Sequence, residues 1–264
     1  MKKYLFLIAL LTLFPCRVFA SNMTMIFWYP GEAGSTKEGQ PVLDAFFDYI
    51  NSKMGTSKLS GKYFNTTEDG LVFILKQKPN IGIVSYAAWE ANKNKFPGTQ
   101  IWLATNPLPH GQKEEQYIIV GKTPSPSPLP SGERAKGEGP VFSSEPLSKE
   151  FIQNQLGFNQ TQKMTPTATP QILLKLKSIA EGTLTAAAIL TPNEGATLSK
   201  MTAPWTKSLT IIAKSKPVPT ARVILFNNPS KEHDSLKKIL LNMRNDPAAK
   251  EILEELRLTG FSEP

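Results

Sequence analysis

Hydroxyl side chains recur where apolar strands run into helices. Residues 26–47, IFWYPGEAGSTKEGQPVLDAFF, pass from an apolar strand through a Gly/Ser/Thr loop into an amphipathic segment, and place Tyr29, Ser35 and Thr36 at the turn. A helix start offers free backbone N–H groups and the positive end of a dipole, so such a loop can hold an oxyanion without a full positive charge. Ser85-Tyr86, Ser143-Ser144, the alternating Thr165, Thr167 and Thr169, and Thr191 stand at comparable points. The candidate ligand contacts are therefore Tyr29, Ser35, Thr36, Ser85, Tyr86, Ser143, Ser144, Thr167 and Thr191. Each also has a plain structural reading. Ser85 suits an N-cap, Thr191 with Glu194 spells the T-x-x-E capping box, and alternating threonines suit a strand edge.

Other chemistries find less support. A phosphate-binding P-loop needs Gly-Lys-Ser/Thr after four spacer residues, and GEAGSTKEG lacks that order. The two histidines, His110 and His233, have no partner at metal or triad spacing, and His233 reads as part of an exposed helix start. The single cysteine, Cys16, lies in the first twenty residues. No catalytic, metal or cofactor site is expected, and the chain reads as a non-enzyme. Trp28, Tyr29, Trp89, Trp102 and Trp205 suit either core packing or the wall of a cleft.

The N-terminus joins Lys2-Lys3 to an apolar run, Tyr4 to Phe14, and then to Val18-Phe19-Ala20, the pattern of a secretory signal cleaved after Ala20. Pro15, before Cys16, argues against a lipoprotein site. Losing Lys2, Lys3 and Arg17 lowers the formal charge from +8 to +5. This excess is spread along the chain without the basic cluster of a nucleic-acid binder, so no nucleic acid is expected as a partner.

Beyond the signal the elements alternate. MTMIFWYP and IGIVSY read as buried strands, GKYFN and TQIWLAT as further strands, and Gln40–Met54, Glu68–Gln77 and AAWEANKNK as helices between them. EQYIIVGK is a strand that ends at TPSPSPLPSGERAKGEG (123–139), a Pro/Ser/Gly-rich insertion. The alternation resumes with GPVFSSEP, a helix at Lys149–Leu156, QKMTPTAT, a helix at Gln171–Ala180, TLTAAAIL, a helix opening at Thr191, SLTIIAKS and ARVILFNN. Glu232–Leu258 is helical, broken at Asp246-Pro247. The fold class is α/β in two lobes crossed twice by the chain, 21–116 plus 218–264 forming one lobe and 117–217 the other.

LTIIAKSKPVPTARVILFNN, followed by LKKILLNMRNDPAAKEILEELRLTGF, resembles the hinge strand, S-x-P-x-P turn and closing helices of the phosphate/phosphite/phosphonate-binding family of periplasmic ABC-transporter solute-binding proteins. IGIVSYAAWEA and IAEGTLTAAAIL resemble further stretches of it. The resemblance implies a type II two-lobed fold with two hinge strands and an oxyanion ligand between the lobes. It implies a monomer that delivers a small anionic ligand to an inner-membrane permease from the periplasm. The chain departs from the family at SSEPLS, where Glu145 brings a carboxylate to the expected anion site. It also lacks the family's His before the second-lobe helix, and Thr185 replaces an Asp. A degenerate sensory module acting on a membrane-bound signalling protein is the alternative these losses leave open.

Overall fold

The computed structural model describes residues 22–32, 34–122, 140–158 and 166–264. The signal segment, the 123–139 insertion and Thr165 lie outside them. The first sheet takes β1 (Asn22–Trp28), β2 (Lys58–Phe64), β3 (Ile81–Val84), β4 (Gln100–Pro107), β12 (Arg222–Leu225) and β13 (Leu258–Ser262), in the order β13-β4-β12-β3-β1-β2. β1 pairs in parallel with β2 and β3, while β12 runs antiparallel between β3 and β4. The second sheet has the order β10-β6-β9-β7-β8, from β6 (Ile118–Lys122), β7 (Val141–Ser143), β8 (Pro166–Ala168), β9 (Ala187–Leu190) and β10 (Leu209–Lys214).

Helices cover both faces of the first sheet. α1 (Thr36–Lys53) buries Leu43, Phe46, Phe47 and Ile50 at i, i+3, i+4, i+7; the sequence spacing of Val42, Phe46, Phe47 and Ile50 anticipates this face except that Leu43 takes the place of Val42, which is half-buried. Phe46 meets Phe27 edge-on at 5.5 Å. On this same side α6 (Lys231–Asn242) and α7 (Lys250–Glu255) contribute Leu236, Leu240 and Leu253. The predicted break between them is built by Asp246, which accepts from the Ala248 backbone at 3.0 Å, from the Tyr49 hydroxyl at 2.9 Å, and pairs with Lys53 at 2.7 Å. The opposite face carries α2 (Thr67–Gln77) and α3 (Tyr86–Asn92), over Ile26, Trp28, Val84 and Ile224. The second sheet has its own two apolar clusters, one against α4 (Ile172–Glu181) and one around Tyr117, Phe151 and Leu156.

Two short strands join the sheets. β5 (Glu114–Glu115) pairs antiparallel with β11 (Val218–Pro219), so outgoing and returning crossings lie side by side. Ser215 and Thr220, both buried, hold this ribbon. Ser215 Oγ accepts from the Tyr117 backbone at 2.9 Å, and the Thr220 hydroxyl donates to the Thr105 carbonyl at 2.7 Å.

Four local expectations change. The C-terminal helical segment stops at Glu255, because Arg257 adopts φ 57° and turns the chain into β13 on the sheet edge. Lys149–Leu156 holds a π-helical turn, Phe151–Gln155. EQYIIVGK divides into β5 and β6. His233 is buried beside Trp102, and its Nδ1 accepts from the Ser230 backbone at 3.0 Å, so the ring serves as a neutral cap.

Trp28 sets a steric limit. Its indole N–H donates to the Thr66 carbonyl at 3.0 Å, and a Cβ on Gly70 would overlap the indole ring. Gly70→Ala gains about 1 kcal/mol in helix propensity but meets an overpacking cost of about 1–3 kcal/mol. We expect a net loss of up to about 2 kcal/mol, read from urea unfolding midpoints at unchanged m-value.

Candidate functional site

The parallel strands of both sheets end toward one another. After β1 the chain turns through Tyr29 and Gly31, whose backbone N–H groups donate to Phe64 and Asn65 carbonyls at 3.0 Å each. Gly31 adopts φ 91°, and any Cβ there would enter the Ser144 carbonyl and Glu145 backbone. The loop after β1 thus lies directly against the loop after β7. A second contact closes the same side, where the Tyr86 ring lies 6.0 Å from Phe151, and Phe151 lies 6.3 Å from Tyr117.

Ionisable groups taken out of water by this contact change state. Glu145 is 8 % exposed and accepts a 2.7 Å hydrogen bond from the Tyr117 hydroxyl. Burial pushes its carboxyl up to about 8; the Tyr117 hydrogen bond opposes this, and the charges of Glu115 and Glu32 add to it. Glu115, on β5, is pushed up to about 7 by burial and by Glu32, with Arg222 opposing. Burial, with the charges of Glu32 and Glu115, holds Tyr29 far above the ordinary phenol range. Burial thus disfavours the negative charge expected at Glu145, and in its protonated form the carboxyl can donate as well as accept. Glu32 faces Arg257 at 4.0 Å on the first-sheet side.

The predicted residues divide by position. Ser35 is the exposed N-cap of α1 in a full capping box: its backbone donates to Glu38 Oε2 at 2.7 Å and its Oγ accepts from Glu38 N at 3.2 Å. Thr36 follows it, half-buried. Ser85 is the buried N-cap of α3, accepting from Ala88 at 3.3 Å, and its backbone donates to the Trp28 carbonyl at 3.0 Å. That bond ties the ends of β1 and β3 together and brings Ser85 and Tyr86 to the rim that carries Tyr29. Ser143 is buried and donates its hydroxyl to the Glu145 carbonyl, and the Ser144 carbonyl meets Gly31. Thr191 forms the predicted capping box with Glu194 at the start of α5 (Pro192–Lys200), past the end of β9. Thr167 stays on edge strand β8, exposed. Trp28 and Trp89 are core residues, while Trp102 and Trp205 pack half-buried on clusters of the first and second sheets.

Sequence reasoning did not single out Glu115, Tyr117 or Arg222. Tyr117 and Glu115 sit in a stretch that reads only as a strand. Arg222 did leave a signal, a cation opening the apolar run RVIL directly after the hinge turn. It is 9 % exposed, and its Nε and Nη1 have no hydrogen-bond partner. Burial lowers its pKa, with Tyr86, Glu114 and Glu115 opposing.

Two sheets joined by a paired ribbon of crossing strands, with the loop after β1 against the loop after β7, form the two-lobed α/β fold of the type II periplasmic-binding class. Residues 80–264, more than half of the chain, match the family model described as ABC transporter, phosphonate, periplasmic substrate-binding protein, and the chain belongs to that family. The loop after β1 precedes the matched region. Among solved structures, the chain is similar to a phosphonate-transporter binding protein from Pseudomonas aeruginosa (11% identity, TM-score 0.64, 93% of this chain and 82% of that one). It is also similar to a Xanthomonas citri protein bound to ATP (13%, 0.69, 93% and 91%) and to a Prochlorococcus marinus protein in complex with methylphosphonate (12%, 0.64, 92% and 93%). At these identities the likeness concerns the fold. Among curated proteins, none matches the chain in sequence.

Two tests follow from the buried acids. Glu145 and Glu115 hold protons in the folded state that they release when unfolded, so stability falls as pH rises between the ordinary carboxyl range and about 8. His233, whose pKa burial lowers, acts in the opposite sense and only below about 6.5. The melting temperature is expected to fall between pH 6.5 and 8.5, and Glu145→Gln, which keeps the acceptor for Tyr117, to flatten that slope. Gly31→Ala is expected to part the rims, raising the radius of gyration in small-angle scattering and weakening the same pH slope. A slope unchanged in both variants would place the titrating groups elsewhere.

Proposed function

We propose that this chain is the periplasmic, monomeric binding component of an ABC importer, exported by a signal cleaved after Ala20. It takes a small oxyanion-bearing ligand, of the phosphate or phosphonate type, between the rims of its two sheets and delivers it to an inner-membrane permease. The observation that carries this reading is the contact of Gly31 with Ser144, which draws the ends of β1 and β7 around Tyr29, Tyr86, Tyr117 and the uncharged acid of Glu145. Hydroxyls and a protonated carboxyl donate hydrogen bonds to an anion in a site shielded from water, where such bonds are stronger than at the surface.

Among similar structures, one holds methylphosphonate and another ATP or chloride, while two lower-scoring ones hold arginine and lysine; the anionic ligands belong to those with the higher TM-scores. Tyr29, Ser85, Tyr86 and Ser144 are the proposed contacts; Ser143, whose hydroxyl is given to the Glu145 carbonyl, holds the loop that presents them. Ser35, Thr36 and Thr191 act through the helix starts they cap or open, and Thr167 lies exposed on edge strand β8, paired with Phe142. Residues 21–116 with 218–264, and 117–217, are the units that turn about the β5–β11 ribbon.

Thermal shift of the mature protein against phosphate, phosphite, methylphosphonate and sulfate tests the reading. A ligand at 100 times its Kd stabilises the folded state by about 2.7 kcal/mol, or roughly 5–10 °C for a chain of this size. A shift of that order with one anion is the expected result. No shift with any of the four would overturn the anionic-ligand assignment.

A further inference from the structure

Arg222 is the polar group in the described residues whose partners are missing at the place where a ligand is expected. It is the first residue of β12, paired with Val84 on one side and Ala104 on the other, so it stands in the middle of the first sheet. Val84 is the last residue of β3, and Ser85 and Tyr86 follow it, which puts Arg222 on the rim that faces the second sheet. Strand alternation sends its side chain to the face of Ile224, two residues on, which packs with Trp28, Val84 and Ala88 below α3. The charged and titratable groups that bear on it are Tyr86 from α3 and Glu114 and Glu115 from the ribbon. None of them bonds Nε or Nη1, although the side chain is 9 % exposed.

A guanidinium stays charged in any protein environment, and its N–H groups donate only. Two such donors held out of water need an acceptor, and none among the described residues bonds them. Glu114 and Glu115 of the ribbon favour the charged guanidinium yet leave these two nitrogens open, a deficit that the oxygens of a bound ligand can meet. We infer that Arg222 is the anion anchor of the cleft, donating Nε–H and Nη1–H to oxygens of an oxyanionic ligand that Tyr86 and the rim hydroxyls hold from the other sides. The inference rests on the proposed anion-binding function and deepens it. It assigns the charge-bearing contact to the hinge edge of the first sheet, and gives the hydroxyl loops the role of orienting an already neutralised ligand. It also ties binding to closure, because β12 continues directly from the ribbon strand β11.

The test titrates inorganic phosphate and methylphosphonate into the mature protein, with the arginine side chains labelled by ¹⁵N. Arg222→Lys assigns the Arg222 Nε–H resonance and serves as the charge-conserving variant; Arg222→Met removes the donors. The expected result is a saturable shift of the Arg222 Nε–H signal in the wild type. Affinity is expected to fall about 10-fold in Arg222→Lys and at least 100-fold in Arg222→Met, as measured by calorimetry. Should Arg222→Met fail to fold, the wild-type resonance and the lysine variant still decide. Binding with the Arg222 signal unmoved, or with affinity in either folded variant within twofold of wild type, overturns the anchor and leaves the solute-binding reading standing. A wild-type protein that binds neither of these anions, nor phosphite or sulfate, overturns both.

Discussion

The close approach of Gly31 to Ser144 fixes the chemistry of the cleft. A residue with any side chain at that point, or a backbone confined to negative φ, would hold the two strand ends apart and admit water. With the ends together, Glu145 and Tyr29 lose their solvation, and carboxyls that would be charged at the surface keep their protons. The electrostatics that look hostile to an anion in the sequence are reversed by burial. The same exclusion of water makes the unbonded donors of Arg222 consequential, since in solvent they would simply be hydrated.

That approach depends in turn on the way the chain is threaded. β1 and β3 are locked end to end by the bond from Ser85 to the Trp28 carbonyl, so the hydroxyl loops of the first sheet share one rim. The second sheet brings the ends of β7 and β9 to the opposing rim, where Glu145 stands near enough to Glu194, in the first turn of α5, to respond to its charge. Ser215 and Thr220 hold the two crossings beside each other. Ser85, Ser215 and Thr220 are each buried and bonded to backbone, as expected where loops must keep a fixed geometry without regular secondary structure. The family match, beginning at residue 80, spans the ribbon and the whole second sheet.

Much of this order was legible from residue pattern alone. The apolar face of α1, the buried strands at IFW and IGIV, the T-x-x-E box at Thr191 and the break at Asp246 all follow from local rules, and all occur. β13 escaped because its signal is a non-glycine residue, Arg257, in the left-handed region, which periodicity does not reveal. Ser35 was chosen for its hydroxyl, yet Glu38 three residues on turns it into a cap; the spacing was visible, but so was the loop's likeness to an anion cradle. Glu145 was seen as a charge because protonation depends on burial, and burial depends on residues distant in sequence, Tyr117, Glu115 and Gly31 among them. Arg222 stood in plain view as a cation heading an apolar strand, though only the three-dimensional neighbours show that its donors are unanswered.

The ribbon of β5 and β11 is two residue pairs long and carries proline at positions 217 and 219. Proline fixes φ, so the returning crossing resists bending within itself and concentrates flexure at its flanks. Two crossings paired side by side restrain sliding and twisting between the halves more than a single connection would, and the motion they oppose least is the swing that the proposed function requires. A guest held by a side chain at the root of that swing sits near the pivot, where a large opening of the jaws displaces it least.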